Sequence, residues 1–225
     1  MTDLNKKAWI GLVSLAFVLG LLLFIPAWSI NYWQAWVYIA NFFGCSAVVT
    51  IYLMKHDTGL LQRRVNGGPA AEKEKTQKVI QSFAQIAFIA IFLVSAFDHR
   101  FGWSHTALFA VIGGNVLITT GFYIVFLVFK ENTFTSASIE VAAEQQLIST
   151  GPYAIVRHPM YSGALILLIG SPLALGSWWG LLACIPIAAV IIWRLSDEEN
   201  FLSKNLTGYK EYRGKVKYRL IPGVF

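Results

Sequence analysis

The residues with the greatest chemical capacity lie near the C-terminus. They are the stretch Gly151-Pro-Tyr-Ala-Ile-Val-Arg-His-Pro-Met-Tyr-Ser-Gly163 and, beyond a long apolar run, Arg194-Leu-Ser-Asp-Glu-Glu199. Pro159 suits the first turn of a helix, where its missing N–H costs nothing. Free backbone N–H groups at such a start favour an anion, and Arg157 adds positive charge beside them. Glu198 and Glu199 close a returning helix, where the dipole is negative and carboxylates attract a cation. A ligand carrying a carboxylate, an ammonium and a second positive centre matches both ends, and S-adenosylmethionine has that charge pattern. A structural reading competes with this one. In it Arg157 and Lys130 face lipid phosphates, and Arg194 pairs with Glu198 one turn along a helix.

The elements that must position these groups follow from length. The 33 residues from Tyr161 to Trp193 would make a single helix about 50 Å long, against a hydrocarbon core of about 30 Å. Gly170, Ser171, Pro172, Gly176 and Ser177 interrupt the run, so the sequence predicts a helical hairpin that enters, turns and returns. Its two ends then bring Arg157-His158 and Glu198-Glu199 to one membrane face. Four apolar segments precede it, roughly Ala8–Ile25, Trp33–Met54, Val79–Phe97 and Thr106–Phe129, each near the length a spanning helix needs. The first follows Lys6 and Lys7 but lacks a small-residue cleavage site, and reads as a retained span. The expected fold is an all-α integral membrane protein with four transmembrane helices, a C-terminal helical hairpin and a short tail. It is read as a single domain over 1–225, with the spans in 1–130 and the cofactor-binding loop, hairpin and tail in 131–225.

Composition agrees: 56% of residues are hydrophobic and 13% charged, where soluble chains carry about a quarter charged. With the N-terminus inside and a C-terminal hairpin, 17 of the 18 Lys and Arg residues lie on one side and only Arg100 on the other. A single long span would put the basic tail outside and break the positive-inside bias. The net charge of +6 is explained by loops facing anionic lipid, with no nucleic acid as partner. Cys45 and Cys184 form no redox or metal motif. His56, His99, His105 and His158 have no helical spacing to one another, so no metal is expected. Lys55–Lys78, with its Gly67-Gly-Pro69 break and its AEKEK run, reads as a solvated loop and a helix start. Lys130–Met160, with Glu131-Asn132, Glu140 and Glu144-Gln145-Gln146, is long for a mere connection.

The motif GPYAIVRHPMYSG, then WR followed by DEE, then LTGYKEYRGKVKYRLIPG, resembles the isoprenylcysteine carboxyl methyltransferase family. That family sits within a wider group of membrane methyltransferases that includes phospholipid N-methyltransferases. The resemblance covers about the last 95 residues, from Asn132 on; the earlier part matches only as hydrophobic spans. It implies S-adenosylmethionine as methyl donor, held at the cytoplasmic face beside a lateral opening for a lipophilic acceptor. It also implies a cofactor pocket lined by Tyr153, Arg157, His158, Tyr161, Glu198 and Glu199. The tail would fold over that pocket, with Tyr209, Tyr212 and Arg213 closing it.

Methyl transfer from a sulfonium is an in-line displacement, so alignment and exclusion of water carry most of the rate. A carboxylate acceptor needs no base but does need a cation to orient it, and Arg194 is the candidate. An amine acceptor must first lose a proton, and His158 is the one evident base, which favours an oxygen or thiol acceptor. Besides a phospholipid N-methyltransferase, two alternatives remain. One is a membrane reductase using NADPH, because sterol reductases are similar around the histidine-proline region. The other is a transporter or noncatalytic scaffold, which would place polar residues in mid-span. The uncleaved first span and the lack of organelle signals fit a prokaryotic inner membrane.

Overall fold

The computed structural model of the protein describes residues 3–67, 75–135 and 146–225, and these are helical with short connections. Eight α-helices follow in order among them: α1 (Asp3–Ala27), α2 (Trp33–His56), α3 (Thr58–Asn66), α4 (Lys75–Phe101), α5 (Leu108–Glu131), α6 (Pro159–Ala174), α7 (Trp179–Asn205) and α8 (Tyr209–Lys215). A 3₁₀ turn at Gly151–Ala154 precedes α6. Among the described residues five helices are long and apolar enough to cross a membrane: α1, α2, α4, α5 and α7. Large side chains such as Phe17, Ile86, Phe109 and Ile185 stand exposed on their outer faces, as a lipid-facing surface requires.

The count is therefore five rather than the expected four. The fifth is the returning arm of the hairpin, α7. The entering arm, α6, has 16 residues and a length of about 24 Å at 1.5 Å per residue. It is short because Pro159 starts it at the first helical position and the turn at Leu175–Trp178 ends it early. That turn is pinned from three sides. The Tyr32 hydroxyl donates to the Leu175 carbonyl at 2.8 Å, Thr106 Oγ1 to the Gly176 carbonyl at 2.6 Å, and Ser177 Oγ to buried Asp98 at 2.5 Å. Gly176 takes a φ of +76° there, which only glycine adopts without steric cost.

Backbone contact between α5 and α6 fixes the hairpin against the rest. A Cβ on Gly121 would lie 2.7 Å from the Gly163 carbonyl, and one on Gly170 would lie 2.8 Å from the Gly114 carbonyl. Glycines seven apart on each helix thus form a groove in which the two backbones touch. Dispersion over that close contact drives the association, since lipid tails remove any hydrophobic driving force between helices. On the other side α7 runs antiparallel to α4. Cys184 Sγ against the Leu168 carbonyl at 3.4 Å, and Tyr161 against Arg194 at 3.1 Å, set the register of α6 on α7.

The solvated loop expected over Lys55–Lys78 is partly a helix. Asp57 caps α3 by accepting from Leu60 N at 2.8 Å, and Leu60 and Leu61 are buried with Ala8, Leu53 and Val128. The Gly68-Pro69 part of the break, most of the AEKEK run, and Glu140, Glu144 and Gln145 lie outside the described residues.

Candidate active site

The site forms where α6 begins and α7 ends, and the tail joins the two. The Arg157 backbone N–H donates to the Tyr218 carbonyl at 2.9 Å, and that of His158 to the Arg219 carbonyl at 3.0 Å. Ser162 Oγ donates to the Leu220 carbonyl at 2.7 Å. The Arg157 guanidinium donates through Nε to Glu199 at 2.6 Å and through one terminal nitrogen to the Val216 and Lys217 carbonyls at 2.8 and 2.7 Å. His158 Nε2 meets the same Glu199 oxygen at 3.2 Å, and Arg219 lies 3.2 Å from the other. Glu199 is only 2% exposed, so its charge is balanced entirely by protein. The anion site expected at the start of α6 is thus filled by the chain's own tail. Two of its N–H groups and the Arg157 side chain are spent on carbonyls and on Glu199. Glu199 itself is a clasp behind the cavity rather than part of its lining.

One residue earlier on α7 the chemistry is different. Glu198 faces a cavity of about 710 Å³. It accepts from the Tyr161 hydroxyl at 2.6 Å, and that hydroxyl accepts from Arg194 Nε at 3.1 Å. Arg194 also donates to Gln77 on α4 at 3.0 Å. Arg194 therefore reaches Glu198 through Tyr161, and the three form one chain of contacts along the wall. The 3₁₀ turn and α8 supply the opposite end. Asn132 donates to the Tyr153 hydroxyl at 3.0 Å, and the Tyr212 hydroxyl donates to the Tyr153 carbonyl at 2.7 Å. Tyr209 is 3% exposed, lines the cavity, and its hydroxyl has no hydrogen-bond partner among the described residues. An orphaned buried hydroxyl costs about 1–3 kcal/mol, and a ligand in the cavity would remove that cost. Burial raises the phenols of Tyr153, Tyr209 and Tyr212 above the ordinary value, and for Tyr209 the nearby Glu199 charge adds to it. All three are neutral donors near pH 7.

The same cavity continues between the spans. There its walls are Phe42, Phe88, Val125, Leu167, Ile187 and Ile191, contributed by α2, α4, α5, α6 and α7. It is polar at the tail and apolar toward the membrane. Residues 109–208 match the phospholipid methyltransferase family model. This supports a membrane methyltransferase, without showing the isoprenylcysteine subtype. No curated protein matches the chain. The match to the methyltransferase family takes in Tyr153, Arg157, His158, Tyr161, Arg194, Glu198 and Glu199, and stops before Tyr209.

The structure brings Tyr153, Arg157, His158, Tyr161, Arg194, Glu198, Tyr209 and Tyr212 to one cavity. It does not bring Arg213, which is exposed and donates to Ser203 at 3.2 Å on the outer side of the tail. Cavity residues that sequence reasoning missed include Arg64, Gln81, Gln85, Leu202 and Leu206. Gln81 and Gln85 left a readable signal, two amides one turn apart in an otherwise apolar segment. Arg64 left none, because only the fold of α3 turns it toward the cavity.

Proposed function

We propose that the protein transfers a methyl group from S-adenosylmethionine to a lipophilic acceptor. The observation that carries this reading is the single cavity with a polar, phenol-lined end and an apolar end among spanning helices. The donor set fits S-adenosylmethionine: a carboxylate, Glu198, for its positive charge, and an unpartnered phenol, Tyr209, for its polar groups. Bound there, S-adenosylmethionine supplies an electrophilic methyl group on a sulfonium. The chain's residues bind, orient and exclude water. Leu202 and Leu206 wall the donor's end, and Tyr212 holds the tail across it. Arg194 is held by Tyr161 and Gln77 at the level of Glu198, where its charge would orient a carboxylate acceptor.

A carboxylate or thiol acceptor, such as an isoprenylcysteine-like molecule, suits this wall because neither demands a strong base. The base that the sequence offers, His158, has its Nε2 held by Glu199. The second reading, a phospholipid N-methyltransferase, is favoured by the description of the matching family and requires Glu198 to take the amine's proton. The cytoplasmic face of a prokaryotic inner membrane is the setting we propose for the site.

Calorimetry on detergent-purified protein tests the donor: S-adenosylmethionine should bind and NADPH should not. The reverse result would make the chain a reductase and sink the proposal. Transfer of labelled methyl to prenylated thiols and acids, but not to phosphatidylethanolamine, would separate the two acceptor readings.

A further inference from the structure

One cation in the cavity is used by nothing in this scheme. Arg64, on the last turn of α3, lies outside the family-matched stretch and lines the same cavity as Glu198, Tyr161 and Tyr209. Its guanidinium rests over the Phe129 ring, 5.3 Å from the centroid, and meets no carboxylate among the described residues. A structural role explains only part of this. A cation at a helix C-terminus complements the dipole, and stacking on an aromatic face suits arginine. Neither contact supplies a counter-charge, and the side chain is exposed along the cavity wall, where an incoming anion can reach it.

The other cationic groups in the cavity already have protein partners. Arg157 is spent on Glu199 and the tail carbonyls, and Arg194 on Tyr161 and Gln77. The backbone N–H groups of Arg157 and His158, which could have met an anion, are bonded to the tail. An anionic group entering the cavity therefore has Arg64 as a partner in addition to Arg194, which the scheme above assigns to an acceptor carboxylate.

We propose that Arg64 is an anion subsite of the cavity, taking a carboxylate or phosphate in a forked, bidentate contact. This rests on the cavity being the ligand site assigned above. Two bound molecules could bring such a group: the acceptor through its head, or S-adenosylmethionine through its own carboxylate.

Binding to purified full-length protein separates them. The acceptor arm compares hexadecyl phosphate with hexadecanol, and the donor arm compares S-adenosylmethionine with its decarboxylated form. Arg64→Gln should erase a tenfold to hundredfold preference for the anionic member in one arm and leave affinity for the uncharged-head or decarboxylated member within about twofold. Arg64→Lys keeps the charge without the fork and should recover part of the preference, which a purely structural role for Arg64 would not predict. The arm that responds identifies the source of the anion. Unchanged preferences in both arms, or equal losses for both members of each pair, overturn the subsite. If wild-type protein binds no S-adenosylmethionine, the donor reading fails, while the hexadecyl phosphate arm still decides the role of Arg64.

Discussion

At the scale of single residues, two neighbouring carboxylates on α7 do opposite things. Glu198 opens to the cavity and Glu199 closes the fold behind it. Glu198→Gln should lower S-adenosylmethionine affinity about tenfold to a hundredfold, the worth of a charge-assisted contact, with an unchanged melting temperature in detergent. Glu199→Ala should instead leave Arg157, His158 and Arg219 without their counter-charge and destabilise the protein by about 3–5 kcal/mol. Thermal melts of both variants read the difference, and equal melting temperatures would refute it. Tyr209→Phe is the converse case. Its hydroxyl has no partner among the described residues, so removing it should hold or raise stability while donor affinity falls severalfold. The motif was legible in sequence as a cluster, and its residues do gather. What sequence could not show is which side of α7 each glutamate faces, because a rotation of about 100° per residue separates a ligand group from a structural one. The tail's carbonyls were equally hidden, since backbone acceptors leave no mark in residue types.

At the scale of elements, the hairpin followed from length and charge, and its lengths did not. A 33-residue apolar run says that the chain must turn. It says little about where, because the turn is chosen by Tyr32, Thr106 and Asp98 from distant segments. The α5–α6 contact is testable directly. Gly121→Leu places a side chain where even a Cβ would be 2.7 Å from a carbonyl. It should destabilise by about 1–3 kcal/mol or more through overpacking, whereas the same change at Gly113, which has open space around it, should cost far less. The tail clamp carries a pH dependence. Tyr209 and Tyr212 have folded-state values raised above their ordinary 10.0, so the folded tail favours the neutral phenols. Their contribution is complete below about pH 10 and is lost as pH rises from there through the folded values. Protease cleavage after Lys215 or Lys217 should accelerate in that window, and less so in Tyr209→Phe.

For the whole molecule, both ends of the hairpin, the end of α2 and the start of α4 lie at the site's face, as the charge distribution demands. In a variant lacking Cys45 and Cys184, an impermeant thiol reagent outside intact cells should label a cysteine at position 102 and spare one at 210. The opposite pattern would invert the proposed orientation. The short entering arm has a further consequence. At about 24 Å, α6 falls short of a hydrocarbon layer of about 30 Å, and lipids beside an element that is too short thin or tilt at a cost of fractions of a kcal/mol per ångström. The bilayer beside α6 should therefore dimple, and lipophilic molecules there would ride lower than in the surrounding leaflet, nearer the level of Glu198. The protein would then sense acyl-chain length in its host lipids. In vesicles of constant head group, turnover should be highest in thin, short-chain bilayers and fall as the chains lengthen, with donor affinity unaltered.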